Sequence, residues 1–133
     1  MQDDGLHLRK AALSALDALL AAPRTAACIG PELLPILAAG ARDHDDVRML
    51  AHGAIVRAAA LPHLASAFAA ADGGLRVADA LAEVLNKHGK AGDGGVAVDV
   101  VRSAVRALDS LLRCVPALGA HRRLAAYVAF IES

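Results

Sequence analysis

Apolar residues recur at intervals of three and four along most of the chain, which is the spacing of one face of an α-helix. Alanine and leucine supply most of these positions, and both favour helix. β-Branched residues are scarce apart from a few valines. The pattern predicts an all-α protein with helices over about residues 4–22, 31–40, 45–60, 64–71, 75–88, 100–115 and 120–131.

Prolines and polar residues set the predicted helix ends. Pro23, Pro62 and Pro116 each stop a helix, because a proline disfavours helical conformation in the residue before it. Asp45 is a suitable N-cap for the helix that follows it. The segment from Asp72 to Gly74 is typical of a turn, so the next helix is expected to begin after it.

The segment from Gly89 to Gly95 contains four glycines and is the loosest part of the sequence. It lacks the Gly-Lys-Ser/Thr signature and the preceding strand of a phosphate-binding loop, so a linker is the favoured interpretation. The start of the next helix is ambiguous. Val96 to Val98 fit a short extended arm, with Asp99 as the cap of a helix from about Val100.

Three predicted helices share a local pattern. Arg9, Arg48 and Arg102 each lie in a first turn, and each is followed at three and at ten residues by apolar positions. Asp45 and Asp99 precede the second and third of these arginines by three residues. Such self-similarity at a fixed register is the signature of a repeat architecture.

One stretch has nearly the complete pattern of a HEAT unit. A Pro-x-Leu-Leu-Pro-x-Leu segment from Pro31 to Leu37 leads through a short turn containing Asp43 to Asp46-Val47-Arg48 and an apolar helix. A helical hairpin of this kind buries its apolar face only by stacking on neighbours. We therefore predict a HEAT/armadillo-type α-solenoid fragment of about three hairpins that occupies residues 1–133 as one domain.

The repeated acids and arginines suggest a structural role. The acid caps the second helix of a unit and is placed to pair with an arginine of the adjacent unit, which predicts a ladder of ion pairs along the stack. The residues expected to form this ladder and its caps are Arg9, Arg48, Arg102 and Asp99.

The first helix resembles the second helix of a repeat whose partner is missing. The chain is therefore expected to be N-terminally truncated, with Met1 at a truncation point, and to expose an apolar face there. We expect this face to bind a hydrophobic dye or to cause self-association.

Composition narrows the function. Lys+Arg and Asp+Glu balance at 14 each and aromatic residues are 2%, which disfavours nucleic-acid binding. The longest apolar run is interrupted by Arg57, Pro62 and His63, which disfavours a membrane span. Cys28 and Cys114 are expected to be buried or half-buried thiols in a reducing compartment.

No residue pattern in the sequence points to catalysis. The six histidines form no metal-ligand pair and are expected at turns and helix ends. Ser14, Ser66, Ser103 and Ser110 lack an evident base and orienting acid. We predict no enzyme activity, no cofactor and no metal.

The densest polar cluster is Asp43-His44-Asp45-Asp46. An inter-helix turn with a cap is the favoured interpretation. An acidic loop for a basic partner and a cation site are the alternatives, although the regular oxygen spacing of a calcium loop is absent.

Four segments carry a family resemblance. They are the opening motif 3–12, the Asp-His-x-Asp turn with its helix 43–50, the arginine-bearing segment 102–107 and the closing residues 130–133. In order and rough spacing they resemble the C-terminal HEAT repeats of the cullin-associated, neddylation-dissociated exchange factors, also called the TATA-binding-protein-interacting family. The resemblance covers almost the whole chain.

This resemblance implies a function. Family members are long HEAT solenoids that wrap a cullin scaffold with its RING partner, and their C-terminal repeats lie on the N-terminal region of the cullin. Factor and substrate-receptor adaptor bind antagonistically, which lets receptor modules exchange. The family also carries a longer polar insertion before the last arginine-bearing helix, which in this sequence is reduced to residues 87–98.

The resemblance predicts a protein-binding module for a cullin–RING ubiquitin ligase in the cytoplasm and nucleus, without nucleic-acid, membrane or small-molecule partners. A generic HEAT scaffold, such as a transport-receptor or phosphatase-scaffold segment, is the alternative, and a HEAT-like nucleic-acid repair enzyme is disfavoured by the neutral charge. The candidate contact residues are Arg42, Asp43, His44, Asp45, Asp46, Lys87, Lys90 and Asp93.

Overall fold

The computed structural model describes residues 5–70, 72–88 and 96–119. Within these ranges all regular structure is helical, which confirms the all-α helical-repeat prediction. The eight helices found there are α1 (Leu6–Ala21), α2 (Pro23–Ala26), α3 (Leu33–Gly40), α4 (Asp45–Ala59), α5 (Pro62–Ala70), α6 (Asp72–His88), α7 (Val96–Cys114) and α8 (Pro116–Gly119). The helix predicted over about 120–131 lies outside the described residues.

The longer helices form two layers. α4 packs against α1 on one side and α7 on the other, and α3 packs against α6 in the second layer. α3 with α4 and α6 with α7 are the two hairpins, while α1 extends the first layer. This is the stacked-hairpin arrangement that the repeated apolar faces predict.

One main hydrophobic core lies between the layers. Its largest fully buried side chains come from every long helix except α1, and they are Leu34, Leu37, Ile55, Leu64, Phe68, Val77, Leu81, Leu108 and Leu111. A smaller cluster of Leu13, Val47 and Ala51 joins α1 to α4. The alanines of α4 let neighbouring helices approach closely, since they leave no side chain beyond Cβ between the backbones. Cys28 and Cys114 lie outside the core and are exposed, so the expectation that both are at least half-buried is wrong.

The proline boundaries are observed as predicted. Ala22, before Pro23, takes an extended conformation with ψ 122°, and α1 ends at the residue before it. Pro23, Pro62 and Pro116 each begin a helix, because a first-turn residue needs no amide donor. The second predicted helix begins at Leu33 rather than Pro31, which lies in the turn before it.

The prediction of a turn from Asp72 to Gly74 is wrong, because α6 begins at Asp72. Gly74 is required there for a tertiary reason. A Cβ atom at this position would collide with the backbone carbonyl oxygen of Phe68 in α5. The glycine therefore allows α5 and α6 to approach each other, and it does not interrupt the helix.

Two predicted caps are also wrong. The N-cap of α4 is His44, which has ψ 152°, and its side chain accepts a hydrogen bond from the amide of Asp46. Asp45 is already the first helical residue. α7 begins at Val96, so Asp99 lies inside its first turn rather than at its cap, and the extended arm is not formed. Both aspartates still favour the helix N-terminus by their charge.

Candidate protein-binding surfaces

The turn from Arg42 to Asp46 joins α3 to α4 and carries most of the predicted contact residues. Arg42 reaches α6, where its Nε and Nη2 donate to the two carboxylate oxygens of Glu83 at 3.0 Å each. This hydrogen bonding raises the pKa of Arg42 above its usual value, against the opposing effect of burial. The pair links the turn to the neighbouring hairpin.

Asp43 connects the same turn to α1. Its two carboxylate oxygens accept from Nε and Nη2 of Arg9 at 2.6 and 3.0 Å, and one oxygen also accepts from the amide of His44 at 2.6 Å. Bidentate pairs of this kind are among the stronger charge-assisted hydrogen bonds. Next to it, Lys10 approaches Asp46 at 3.7 Å.

The remaining residues of the turn have partners within the turn or in the first residues of α4. Nδ1 of His44 accepts a hydrogen bond from the backbone amide of Asp46 at 3.3 Å, so this ring atom already has a partner within the chain. Asp45 pairs with Arg48 one turn later at 3.2 Å. The charged side chains of this turn thus hold α1, α4 and α6 together, and direct contact with a partner stays a prediction.

The other predicted contact segment is placed only in part. Lys87 lies near the C-terminal end of α6. Lys90 and Asp93 lie outside the described residues. In the part of the chain that is described, no group of three acidic, histidine or cysteine side chains is arranged to hold a metal ion.

The three repeated arginines are not equivalent. Arg9 pairs with the turn of the next hairpin, as the ladder requires, although its acid is Asp43 and not a helix cap. Arg48 pairs within its own helix. Arg102 is exposed on α7, and among the described residues no ion pair within 4.0 Å involves it.

The sequence interpretation missed a groove between α4 and α7. It has a volume of about 300 Å³ and is lined by Met49, His52, Gly53, Val56, Asp99, Arg102, Ser103 and Arg106. These residues lie about 50 positions apart in the sequence, and only the packing of α4 on α7 brings them together. In the sequence, the only sign of this groove is the helical spacing of its lining residues within each of the two segments.

His52 lies beneath this groove and corrects the expectation that the histidines occupy turns and helix ends. It is 1% exposed in the middle of α4, and Nδ1 lies 2.7 Å from Oγ of Ser103. Burial, with a smaller contribution from the charge of Arg48, lowers the pKa of His52 to about 4. The imidazole is therefore neutral at physiological pH.

Ser103 thus has a histidine partner that its sequence setting did not indicate. A nucleophile–base pair also needs an acceptor that orients the other ring nitrogen. Nε2 of His52 is buried and has no hydrogen-bond partner in the described part of the protein. The hydrogen bond between His52 and Ser103 is therefore interpreted as a structural contact between α4 and α7.

A second groove, between α1 and α3, is almost entirely apolar. Its volume is about 470 Å³, and Leu16, Leu19 and Ile36 form its walls. Leu19 of α1 and Ile36 of α3 are 44% and 54% exposed, and Leu8, near the start of α1, is 74% exposed. Apolar surface of this kind is where a further helix pair packs in a stacked array.

The chain matches the family model TIP120, described as TATA-binding protein interacting (TIP20), over residues 1–132. It belongs to this family. The resemblance inferred from the sequence motifs is thereby confirmed. Searches of curated proteins and of solved structures give no match.

TIP120 members are non-catalytic helical-repeat scaffolds, and the stacked hairpins agree with that architecture. Two of the four segments that carry the family resemblance are neighbours in the fold. Arg9 belongs to the opening motif and Asp43 to the Asp-His-x-Asp turn, and their ion pair joins the two. The motif residues at this junction therefore connect α1 to the turn of the next hairpin.

No single described helix combines the length and apolar character needed to cross a bilayer. α4 and α5 meet that requirement only as a pair, and they are bent by 105° relative to each other.

Proposed function

We propose that this chain is a non-enzymatic protein-binding module that contacts the N-terminal region of a cullin in a cullin–RING ubiquitin ligase. By competing with the substrate-receptor adaptor, it promotes exchange of receptor modules and so regulates ubiquitination in the cytoplasm and nucleus. The observation that carries the proposal is the match to the TIP120 family over residues 1–132.

The shape and charge of the chain support this role. The two hairpins and α1 stack side by side, and repeat proteins present a continuous binding face in this way. The net charge of zero agrees with a protein partner better than with nucleic acid. Competition for one scaffold is negative coupling between two ligands.

The direct test is a pull-down of a purified cullin–RING complex on the immobilised chain, with and without the adaptor. We expect binding to the adaptor-free complex and a lower yield when the adaptor is present. Absence of binding to the adaptor-free complex at high concentrations of both proteins would refute the proposal. Binding that the adaptor does not reduce would refute the exchange mechanism.

The turn from Arg42 to Asp46 allows a sharper experiment. R42E breaks the pair with Glu83, whereas R42E combined with E83R restores it with reversed polarity. If Arg42 contacts the cullin, the double variant recovers stability but not binding. If Arg42 serves only the internal pair, the double variant recovers both, and the contact surface lies elsewhere.

A further inference from the structure

The groove between α4 and α7 has the chemistry of a peptide-binding site. The α4 side of the groove is apolar. Met49 is 41% exposed, and Val56, two turns further along the helix, is half-buried. Between them, Gly53 leaves the groove open, because a Cβ atom there would meet nothing within 4 Å. An apolar side chain from another molecule thus finds an unfilled position between two apolar walls.

The α7 side is basic. Arg102 and Arg106 are exposed one helical turn apart, on the same face of α7. No ion pair of either side chain is found among the described residues, and the same holds for Arg24 and Arg76, which are not beside this groove. Arg9, Arg42, Arg57 and Arg113 each have a carboxylate partner. Unpaired guanidinium groups beside an apolar floor suit carboxylates of a bound partner.

Asp99 gives the groove a polarity. It lies one turn before Arg102, so the groove is acidic at the start of α7 and basic from Arg102 onward. His52 adds no positive charge, since burial keeps the imidazole neutral. Two arginines against one aspartate leave the groove positive, with the strongest anion preference beside Arg106.

We infer that the α4–α7 groove binds a short acidic peptide segment, with one apolar side chain over Gly53 and its carboxylates on Arg102 and Arg106. The volume of about 300 Å³ admits a few side chains and not a whole helix, so a short segment fits. Because the ion pairs are exposed, binding is expected to be weak and sensitive to salt. This inference does not depend on the cullin proposal.

The test measures fluorescence polarisation of a short labelled peptide of glutamate and leucine on the full chain. A lysine–leucine peptide of equal length and an oligothymidine probe are the competing ligands. We expect the glutamate–leucine peptide to bind, and R102E combined with R106E to weaken it by at least about tenfold. G53L should abolish binding by filling the groove. R24E and A69L make equivalent changes on α2 and α5 and should leave binding unchanged.

The inference is overturned if the lysine–leucine peptide or the oligonucleotide binds as well as the acidic peptide. It is also overturned if the α2 and α5 variants weaken binding as much as the groove variants. M49E provides a second groove variant, and circular dichroism checks that each variant remains helical. Because no cullin is present in this assay, its result is independent of the pull-down.

Discussion

Arg9 and Asp43 are 34 residues apart in the sequence, yet their side chains form a bidentate ion pair with N–O distances of 2.6 and 3.0 Å. Arg9 lies in α1 and Asp43 in the turn between α3 and α4. The pair therefore crosses a repeat boundary. It sits at the edge of the apolar groove between α1 and α3, where it sets the position of α1 on the next hairpin.

A double-mutant cycle on this pair measures its contribution. We expect R9A and D43A each to lower the free energy of unfolding, with a coupling energy of about 0.5–1.5 kcal/mol because the pair is bidentate and partly buried. D43A should cost more than R9A, since Asp43 also accepts from the amide of His44. Urea unfolding of the four proteins gives the coupling, and a value near zero would mean that solvent screens the pair completely.

Stability should depend on pH through His52. Its pKa is about 4 in the folded protein, against 6.5 for the ordinary side chain. The unfolded chain therefore binds more protons between these values, so stability is full above about pH 6.5 and falls as the pH drops towards 4. Once the pH is below about 4 and the folded protein is protonated as well, the loss amounts to about 3 kcal/mol.

Urea unfolding at pH 7 and at pH 4.5 tests this dependence. H52Q should be less stable at neutral pH but should lose much of the change between the two pH values. H63N is the matched control, because it replaces a histidine on the surface, whose Nε2 lies 3.0 Å from the carbonyl oxygen of Ile29, and leaves His52 in place. An unchanged pH dependence in H52Q would show that another group is responsible.

Two glycines within helices should respond oppositely to alanine. G53A should raise the free energy of unfolding by about 0.5–1 kcal/mol, because alanine favours helix and its Cβ meets open space. G74A should lower it by about 2 kcal/mol or more, because the added Cβ collides with the backbone of Phe68. Thermal unfolding of both variants distinguishes the two effects, and a stabilised G74A would contradict the close packing of α5 on α6.

The apolar groove between α1 and α3 should bind a hydrophobic dye in the folded state. We expect 1-anilinonaphthalene-8-sulfonate fluorescence to fall several-fold when Leu19 and Ile36 are both replaced by glutamate. R24E combined with A69E is the matched control, since it adds two acidic side chains at exposed positions outside this groove. Equal dye binding by all three proteins would place the dye elsewhere.

Much of the helical framework follows from local sequence. The spacing of leucine and alanine specifies the apolar faces, and Pro23, Pro62 and Pro116 mark boundaries because their ring restricts the neighbouring backbone. The repeated arginines by themselves indicate an array of helical repeats. Family membership could also be inferred from short motifs, which the match over residues 1–132 confirms.

The tertiary structure alone decided which polar groups meet. Asp43 pairs with Arg9 and His52 with Ser103 across 34 and 51 residues, and no local pattern indicates such distances. It also decided the role of Gly74, which lies in a helix and not in a turn. A glycine is needed at this position because a Cβ atom would collide with the backbone of Phe68 in the preceding helix. Each helix face is determined by residues three and four positions apart in the sequence, whereas the grooves and the ion pairs between helices depend on how those faces stack.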